Sequence, residues 1–157
     1  MSEFVFDDHM DGIRSLQAAI DNNMPFNFVE LDLNYKMIYD EPNGRSRFWY
    51  AKIVSGKVQA LSTFGFEEGP DNGTDRYSVN YAVSESCRGR GLAVEAVNIG
   101  INDLRKRLKH FYVEALIEKT NVHSIEVAKK LFPDFGVPTI NEVSAKPALL
   151  FYKLIEF

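Results

Sequence analysis

The chain has 157 residues, of which 45% are hydrophobic and 13% aromatic, and this predicts a single domain with a sizeable core. Its 18 Lys and Arg residues and 22 Asp and Glu residues give a net charge of -4, which argues against nucleic acid as a partner. No apolar run approaches the roughly 18 residues that a membrane-spanning helix needs, so we predict no membrane partner either.

Charge is distributed unevenly along the chain. Residues 1–87 carry 7 basic and 14 acidic residues, whereas residues 88–157 carry 11 and 8. This pattern suits an anionic cofactor and a cationic substrate, although the asymmetry by itself favours ordinary surface charge. The single cysteine, Cys87, excludes an internal disulfide, and the first residues have neither the basic nor the apolar segment of a signal peptide. We therefore predict a cytoplasmic location.

The first predicted element is a helix. Asp8 is a suitable N-cap, and apolar residues at Met10, Ile13, Leu16 and Ile20 follow at helical spacing. The segment from 26 to 44 has no clear period; we predict a short helix and a loop, which could cover a substrate pocket.

An antiparallel meander is predicted next. Aromatic and branched residues mark strands at 48–54 and 58–66, joined by the turn Ser55-Gly56. Gly and Pro residues in the loop 67–73 precede a third strand, 76–83.

The pattern then changes to alternating helices and strands. Apolar spacing predicts a helix from 93 to 108 and a buried strand from 111 to 117, which together form a parallel crossover. A second helix is predicted from 121 to 132, ended by Pro133 and Gly136. The final strands are predicted at 135–143 and 148–155, and an exposed last strand could pair across a homodimer.

The loop Arg88-Gly89-Arg90-Gly91-Leu92-Ala93 lies between the third strand and the crossover helix. Free amides at a helix N-terminus, two glycines and two arginines are suited to holding a pyrophosphate. A solvated or RNA-binding Arg-Gly turn is an equally good interpretation of the loop alone. Val94 stands where a dinucleotide-binding motif would need a third glycine.

Two motifs at a fixed distance resemble the GNAT superfamily of N-acetyltransferases. Residues 83–93, VSESCRGRGLA, are similar to its Arg/Gln-x-x-Gly-x-Gly/Ala signature after a strand. The next residues, VEAV, and the block from Asn121 to Phe132, NVHSIEVAKKLF, resemble the branch that acetylates ribosomal-protein N-termini. The resemblance is convincing from about residue 77 to residue 136.

The resemblance implies a mixed α/β (α+β) fold with a mostly antiparallel sheet of six to seven strands and about four helices. A parallel central pair would splay apart to admit pantetheine. Acetyl-CoA would be the co-substrate, and no metal is expected, since His9, His110 and His123 have no metal-ligand spacing. The cofactor-binding residues carried over from the family are Ala82, Val83, Arg88, Gly89, Arg90, Gly91, Leu92, Ala93 and Asn121.

The implied reaction is direct attack of a neutral amine on the thioester, with a backbone amide near Val83 stabilising the oxyanion. Many relatives protonate the thiolate with a tyrosine where this chain has Ala128, and the resemblance implies Ser124 as the alternative acid. Ser124 and Asn121 are equally suited to helix capping.

The general base is left open by the sequence. Ser78 occupies the position of a common family glutamate. Its replacement is either a chain of water molecules or one of the carboxylates Glu67, Glu68, Asp75, Glu114 and Glu118.

The function predicted is therefore acetyl transfer to a primary amine of a peptide N-terminus, a polyamine or an amino sugar. The alternative is a non-catalytic acyl-CoA-binding domain that kept the fold, and Ala128 and Ser78 are the residues that favour it.

Overall fold

The computed structural model describes residues 12–68 and 73–156. Within these ranges the chain forms one eight-stranded sheet and three α-helices. The helices are α1 (Gly12–Asp21), α2 (Leu92–Arg107) and α3 (Val122–Leu131). The strands are β1 (Val29–Glu30), β2 (Tyr35–Asp40), β3 (Arg47–Val54), β4 (Lys57–Glu67), β5 (Arg76–Val83), β6 (Phe111–Glu118), β7 (Val137–Ile140) and β8 (Pro147–Ile155).

The sheet has the order β1-β2-β3-β4-β5-β6-β8-β7, and every neighbouring pair is antiparallel except β5 and β6. The predicted mixed, mostly antiparallel sheet with one parallel central pair is confirmed. The predicted counts were slightly off: the sheet has eight strands rather than six to seven, and the described residues contain three α-helices rather than about four. The meander, the crossover helix and the two final strands are all present.

The segment from 26 to 44 differs from its prediction. It contains two short 3-10 turns, as well as β2, which pairs with β3 from Tyr35 to Asp40. The prediction of a helix and a loop was wrong here because Tyr35 and Met37 point to one side of the sheet and Ile38 to the other. Both faces of β2 are covered, so the sequence shows no clean alternation.

Helices cover the sheet from both sides. Leu16 of α1 packs with Trp49 and Leu61 on one face. Helices α2 and α3 pack on the other face, over a larger cluster that includes Tyr50, Phe64, Phe111 and Phe151. The predicted N-cap Asp8 and the stripe residue Met10 lie outside the described residues.

The C-terminal strand lies inside the sheet over only part of its length. β8 lies between β6 and β7, and it pairs with both. β7 covers only residues 147–150 of β8, so within the described ranges no strand pairs with the outer side of residues 151–155, and the predicted exposure holds for that part of the strand. The homodimer stays a prediction.

None of the helices in the two described ranges is long and apolar enough to cross a membrane.

Gly100 fixes the distance between α2 and the sheet. A Cβ atom at this position would contact the Phe64 ring and would lie 2.9 Å from Cδ2 of Tyr50. We expect Gly100→Ala to lower the free energy of unfolding by about 1–3 kcal/mol, because the helix must move away from buried rings. Urea unfolding measures this.

The control is Asn98→Ala, on the exposed side of the same helix. It should leave stability unchanged or raise it, since alanine is the better helix former. Unchanged stability in Gly100→Ala would show that the packing here is loose.

Candidate functional site

A cleft opens between the two parallel strands. β5 and β6 pair only over the three positions from Arg76 opposite Tyr112 to Ser78 opposite Glu114. Both strands continue further, to Val83 and Glu118, without pairing to each other. The splayed central pair that the family resemblance implied therefore begins directly after Ser78 and Glu114.

The backbone of β5 presents alternate residues to this cleft. The amide of Tyr112 donates to the carbonyl oxygen of Asp75, so the backbone N–H and C=O groups of the odd-numbered residues point towards β6. The amide of Ser84 donates to the carbonyl oxygen of Gln59, so the backbone groups of the even-numbered residues point towards β4. The polar backbone groups of Val79, Tyr81 and Val83 are thereby directed into the cleft, and those of Ala82 towards β4.

Two cavities occupy the cleft. The strand cavity, of about 650 Å³, lies between the splayed strands and is lined by residues of β5, β6, α3 and the β7–β8 turn, including Asn80, Leu116, Glu118, Thr120 and Asn141. The loop cavity, of about 430 Å³, is lined by Ala82, Val83, Arg88, Ala93, His123 and Val127. Tyr81, Asn121 and Ser124 line both cavities.

The three shared residues are held together by two hydrogen bonds. The backbone amide of Ser124 donates to Oδ1 of Asn121 at 3.2 Å, so Asn121 caps α3. The hydroxyl of Tyr81 donates to the backbone carbonyl of Ser124 at 2.6 Å. This second bond joins β5 to α3 across the cleft, where the two cavities meet.

Tyr81 is protonated at neutral pH. Burial raises the pKa of its hydroxyl to about 12, because the charged phenolate loses solvation in this position. The hydroxyl therefore remains a donor, and the first turn of α3 stays fixed to the strand.

The Arg-Gly loop has the backbone that an anion site requires. Gly89 and Gly91 have φ values of 82° and 72°, which glycine adopts without strain, and no atom lies within 4 Å of a Cβ built on either. Gly91 precedes the first residue of α2, whose first-turn amides have no partner inside the helix. Arg88 and Arg90 are exposed on either side of Gly89.

A partly buried network fixes the start of α2. Oε1 of Glu95 lies 2.7 Å from Nζ of Lys52 and accepts a hydrogen bond of 3.0 Å from the Tyr35 hydroxyl. Burial and this carboxylate raise the pKa of Tyr35 well above its usual range. The sequence identified Glu95 only as part of a motif; its partners are on β2 and β3, about 40 to 60 residues earlier in the chain.

The five candidate carboxylates occupy different places. Glu67 lies 3.6 Å from Arg45, Glu114 lies 3.4 Å from Arg76, and Glu68 and Asp75 are exposed. Burial raises the pKa of Glu114, and Arg76 offsets part of that rise. Among the five, Glu118 is the one that lines the strand cavity.

The residue at the position of the usual family tyrosine contributes to the core instead. Ala128 is fully buried in the core beneath α3. Tyr81, on the opposite wall, lines both cavities, and the sequence analysis did not place it in the site. Successive residues of a strand point in alternate directions. This alternation along β5, together with the strand pairing, could have identified Tyr81 as cleft-facing. Within the two described ranges there is no group of three metal-ligating side chains.

Comparison with known proteins identifies the family. The model of the acetyltransferase (GNAT) domain matches residues 24–131, which is more than half of the chain. The chain therefore belongs to the GNAT acetyltransferase family. A comparison with curated protein sequences gives no match.

Solved structures share the fold at low identity. A ribosomal-protein-S5-alanine acetyltransferase from Vibrio fischeri is 19% identical, with a TM-score of 0.54, over 72% of this chain and 63% of that chain. An acetyltransferase from Salmonella typhimurium, solved with acetyl-CoA, is 20% identical, with a TM-score of 0.54, over 72% and 66%. An N-acetyltransferase from Staphylococcus aureus is 18% identical, with a TM-score of 0.53, over 73% and 70%. The chain thus matches slightly less than two thirds of the Vibrio and Salmonella chains.

The bond between Tyr81 and Ser124 is testable without any ligand. Tyr81→Phe removes one hydroxyl and should speed amide hydrogen exchange at the start of α3, measured by mass spectrometry on peptides that contain residues 122–126. The expected loss of stability is about 1 kcal/mol, the usual contribution of such a bond.

Tyr152→Phe, at an exposed tyrosine of β8, is the matched control and should change neither quantity. Unaltered exchange in Tyr81→Phe would mean that the hydroxyl does not hold the helix.

Proposed function

We propose that the chain transfers the acetyl group of acetyl-CoA to a primary amine. The observation that carries the proposal is the meeting of two cavities at Tyr81, Asn121 and Ser124, one ending at the Arg-Gly loop and the other opening between the strands. A group-transfer enzyme needs such an arrangement, because two substrates must reach one point from separate sides.

The Arg-Gly loop and the adjoining loop cavity suit the negative charge of acetyl-CoA. The pyrophosphate would be held by the amides from Arg88 to Ala93, at the positive end of α2, with the two arginines adding charge. The pantetheine arm would lie in the cleft and pair with the backbone groups of Tyr81 and Val83, while Ala82 contributes its side chain to the wall. Asn121 would contact the same arm.

The reacting centre would lie where the cavities meet. The amide of Val83 faces the cleft and would donate to the developing oxyanion. The Ser124 hydroxyl lines both cavities and makes no side-chain hydrogen bond to any residue in the described ranges. It is therefore free to donate a proton to the departing sulfur, directly or through water.

The acceptor would enter through the strand cavity. Its polar lining of Asn80, Thr120, Glu118 and Asn141 suits an amine that carries further polar groups. The Vibrio relative is named for acetylating the alanine of ribosomal protein S5, and a peptide N-terminus is accordingly one of the three acceptor classes, beside polyamines and amino sugars.

A non-catalytic acyl-CoA-binding role is the second candidate. Ala128, buried where many relatives have a catalytic tyrosine, is the observation that favours it. A thiol-release assay with acetyl-CoA and a panel of peptides, spermidine and glucosamine separates the two. Turnover with any amine supports the enzyme, whereas tight CoA binding without turnover supports the binding domain.

Ser124→Ala tests the acid role. We expect kcat to fall roughly 100- to 10,000-fold, since a single positioned proton donor contributes on this scale, with nearly unchanged CoA affinity. Steady-state kinetics and calorimetric CoA titration measure the two quantities. Glu126→Ala, exposed on the same helix, is the control. Weakened CoA binding with a normal kcat would contradict the acid role.

Gly91→Phe tests the pyrophosphate site. The side chain would fill the space in front of the first-turn amides and should abolish CoA binding, measured by calorimetry. The positive φ also costs folding stability, by about 1–2 kcal/mol. Gly56→Phe matches that strain, because Gly56 has a φ of 74° in the β3–β4 turn and open space around it. The Gly56→Phe variant should bind CoA normally. Normal binding by Gly91→Phe would place the pyrophosphate elsewhere.

A further inference from the structure

The strand cavity contains a carboxylate with no counter-ion. Glu118 ends β6, is partly buried and lines this cavity. No cation within the described ranges 12–68 and 73–156 forms an ion pair with it. The other partly buried carboxylate on the same side of β6, Glu114, has Arg76 at 3.4 Å. Glu118 is therefore the negative charge that remains available to a ligand.

Asn141 orients this carboxylate. Its Oδ1 accepts hydrogen bonds from the amides of Val143 and Ser144, at 3.0 and 3.4 Å. Because the oxygen is engaged by the turn, the amide nitrogen points the other way, and it lies 3.5 Å from Oε1 of Glu118. The turn is itself closed by the amide of Asn141, which donates to the carbonyl of Lys146 at 2.9 Å. Glu118 thus keeps one oxygen near Asn141 and offers the other to the cavity.

The groups around Glu118 are mostly neutral. Ala148 is its partner on β8, and Asn80, Thr120 and Tyr81 line the same cavity. Titratable groups on the surrounding elements are Tyr81 of β5 in the same cavity, His123 in the loop cavity, and the exposed Lys146 and Glu142 of the β7–β8 turn. Lys119 follows Glu118 in the chain and is exposed. The carboxylate is thus the one acidic side chain among the residues that line the cavity.

We infer that Glu118 binds the acceptor as an ammonium ion and accepts its proton. The inference rests on the proposed acetyl transfer and assigns the base that the sequence left open. A carboxylate attracts a cationic amine, yet the amine attacks only after it has lost a proton. A carboxylate beside the point where the cavities meet can both bind the cationic amine and accept its proton.

The proton balance is complete without another reactant. An N–H bond of the ammonium breaks, and an O–H bond forms on Glu118. The freed lone pair forms the C–N bond, and the C–S bond breaks with its electron pair on sulfur. Sulfur takes a proton from the Ser124 hydroxyl, which regains one from the second N–H that the nitrogen loses. Glu118 returns its proton to water, so each transfer releases one proton.

This role selects acceptors that are charged at neutral pH. Alkyl amines have pKa values near 10.4 and peptide α-amines values of about 7.7–8.0, so both arrive at least partly as cations. An amine with a much lower pKa would bind without the benefit of Glu118. The acceptor class is therefore a basic primary amine.

The decisive experiment compares wild type and Glu118→Gln across pH. Turnover is followed with acetyl-CoA and two acceptors, from pH 6.5 to about 9.5 for a peptide with N-terminal alanine and from pH 6.5 to about 11.5 for spermidine, so that each range passes the pKa of the amine. At pH 7 we expect kcat/KM for the accepted amine to fall at least 100-fold in the variant, which is the scale of a positioned general base. The deficit should shrink as pH passes the pKa of that amine, because solvent then supplies the neutral form.

Three controls separate the possible causes. Glu142→Gln removes an exposed carboxylate from the neighbouring turn and should behave as wild type. CoA affinity and Tm of Glu118→Gln should also match wild type, since the amide can still accept from Asn141. Asn141→Ala should lower kcat/KM by a smaller factor, with the same shrinking deficit at high pH, because it acts through Glu118.

The outcomes are distinguishable. If the wild type turns over neither acceptor nor any amine of the wider panel, the proposed transfer fails, and the inference fails with it. If the wild type is active and Glu118→Gln has less than a threefold deficit, or the same deficit at every pH, then the transfer stands and Glu118 is not its base.

Discussion

The hydrogen-bond ladder between β5 and β6 stops at Ser78 and Glu114, and the whole site depends on where it stops. Beyond that point the two strands separate, and the odd-numbered residues of β5 direct their backbone groups into the gap. A sheet that continued to pair would satisfy those groups internally and leave no room for a ligand. The two cavities and the contact between them are consequences of this early end of pairing.

The gap requires other interactions to keep its width. The Tyr81 hydroxyl reaches the carbonyl of Ser124, and Asn121 caps the same turn of α3. On the far side, Glu95 connects the start of α2 to Lys52 and Tyr35. Both helix N-termini that border the cleft are therefore anchored to strands by side chains. Such anchoring keeps backbone donors in place before a ligand arrives, which reduces the entropy lost on binding.

The sequence predicted much of this fold. The bounds of β5 agree with the expected strand 76–83, and both helices that follow lie where apolar spacing put them. The prediction for segment 26–44 was wrong because β2 is covered on both faces. The sequence also did not show that β7 pairs with residues 147–150 of β8, because a strand's neighbour in the sheet is not determined by its own residues. Strand order and pairing depend on contacts between distant parts of the chain, which local pattern does not contain.

For the site, the sequence by itself determined the glycine and arginine loop and the Asn121 and Ser124 turn, because both depend on local backbone conformation at a helix start. The tertiary structure alone decided which side chains face each other across the cleft. It brought Tyr81 to Ser124, and it distinguished Glu118, beside an open cavity, from Glu114, beside Arg76. Five carboxylates are equivalent in a sequence, and only burial and the nearest charge make one of them different.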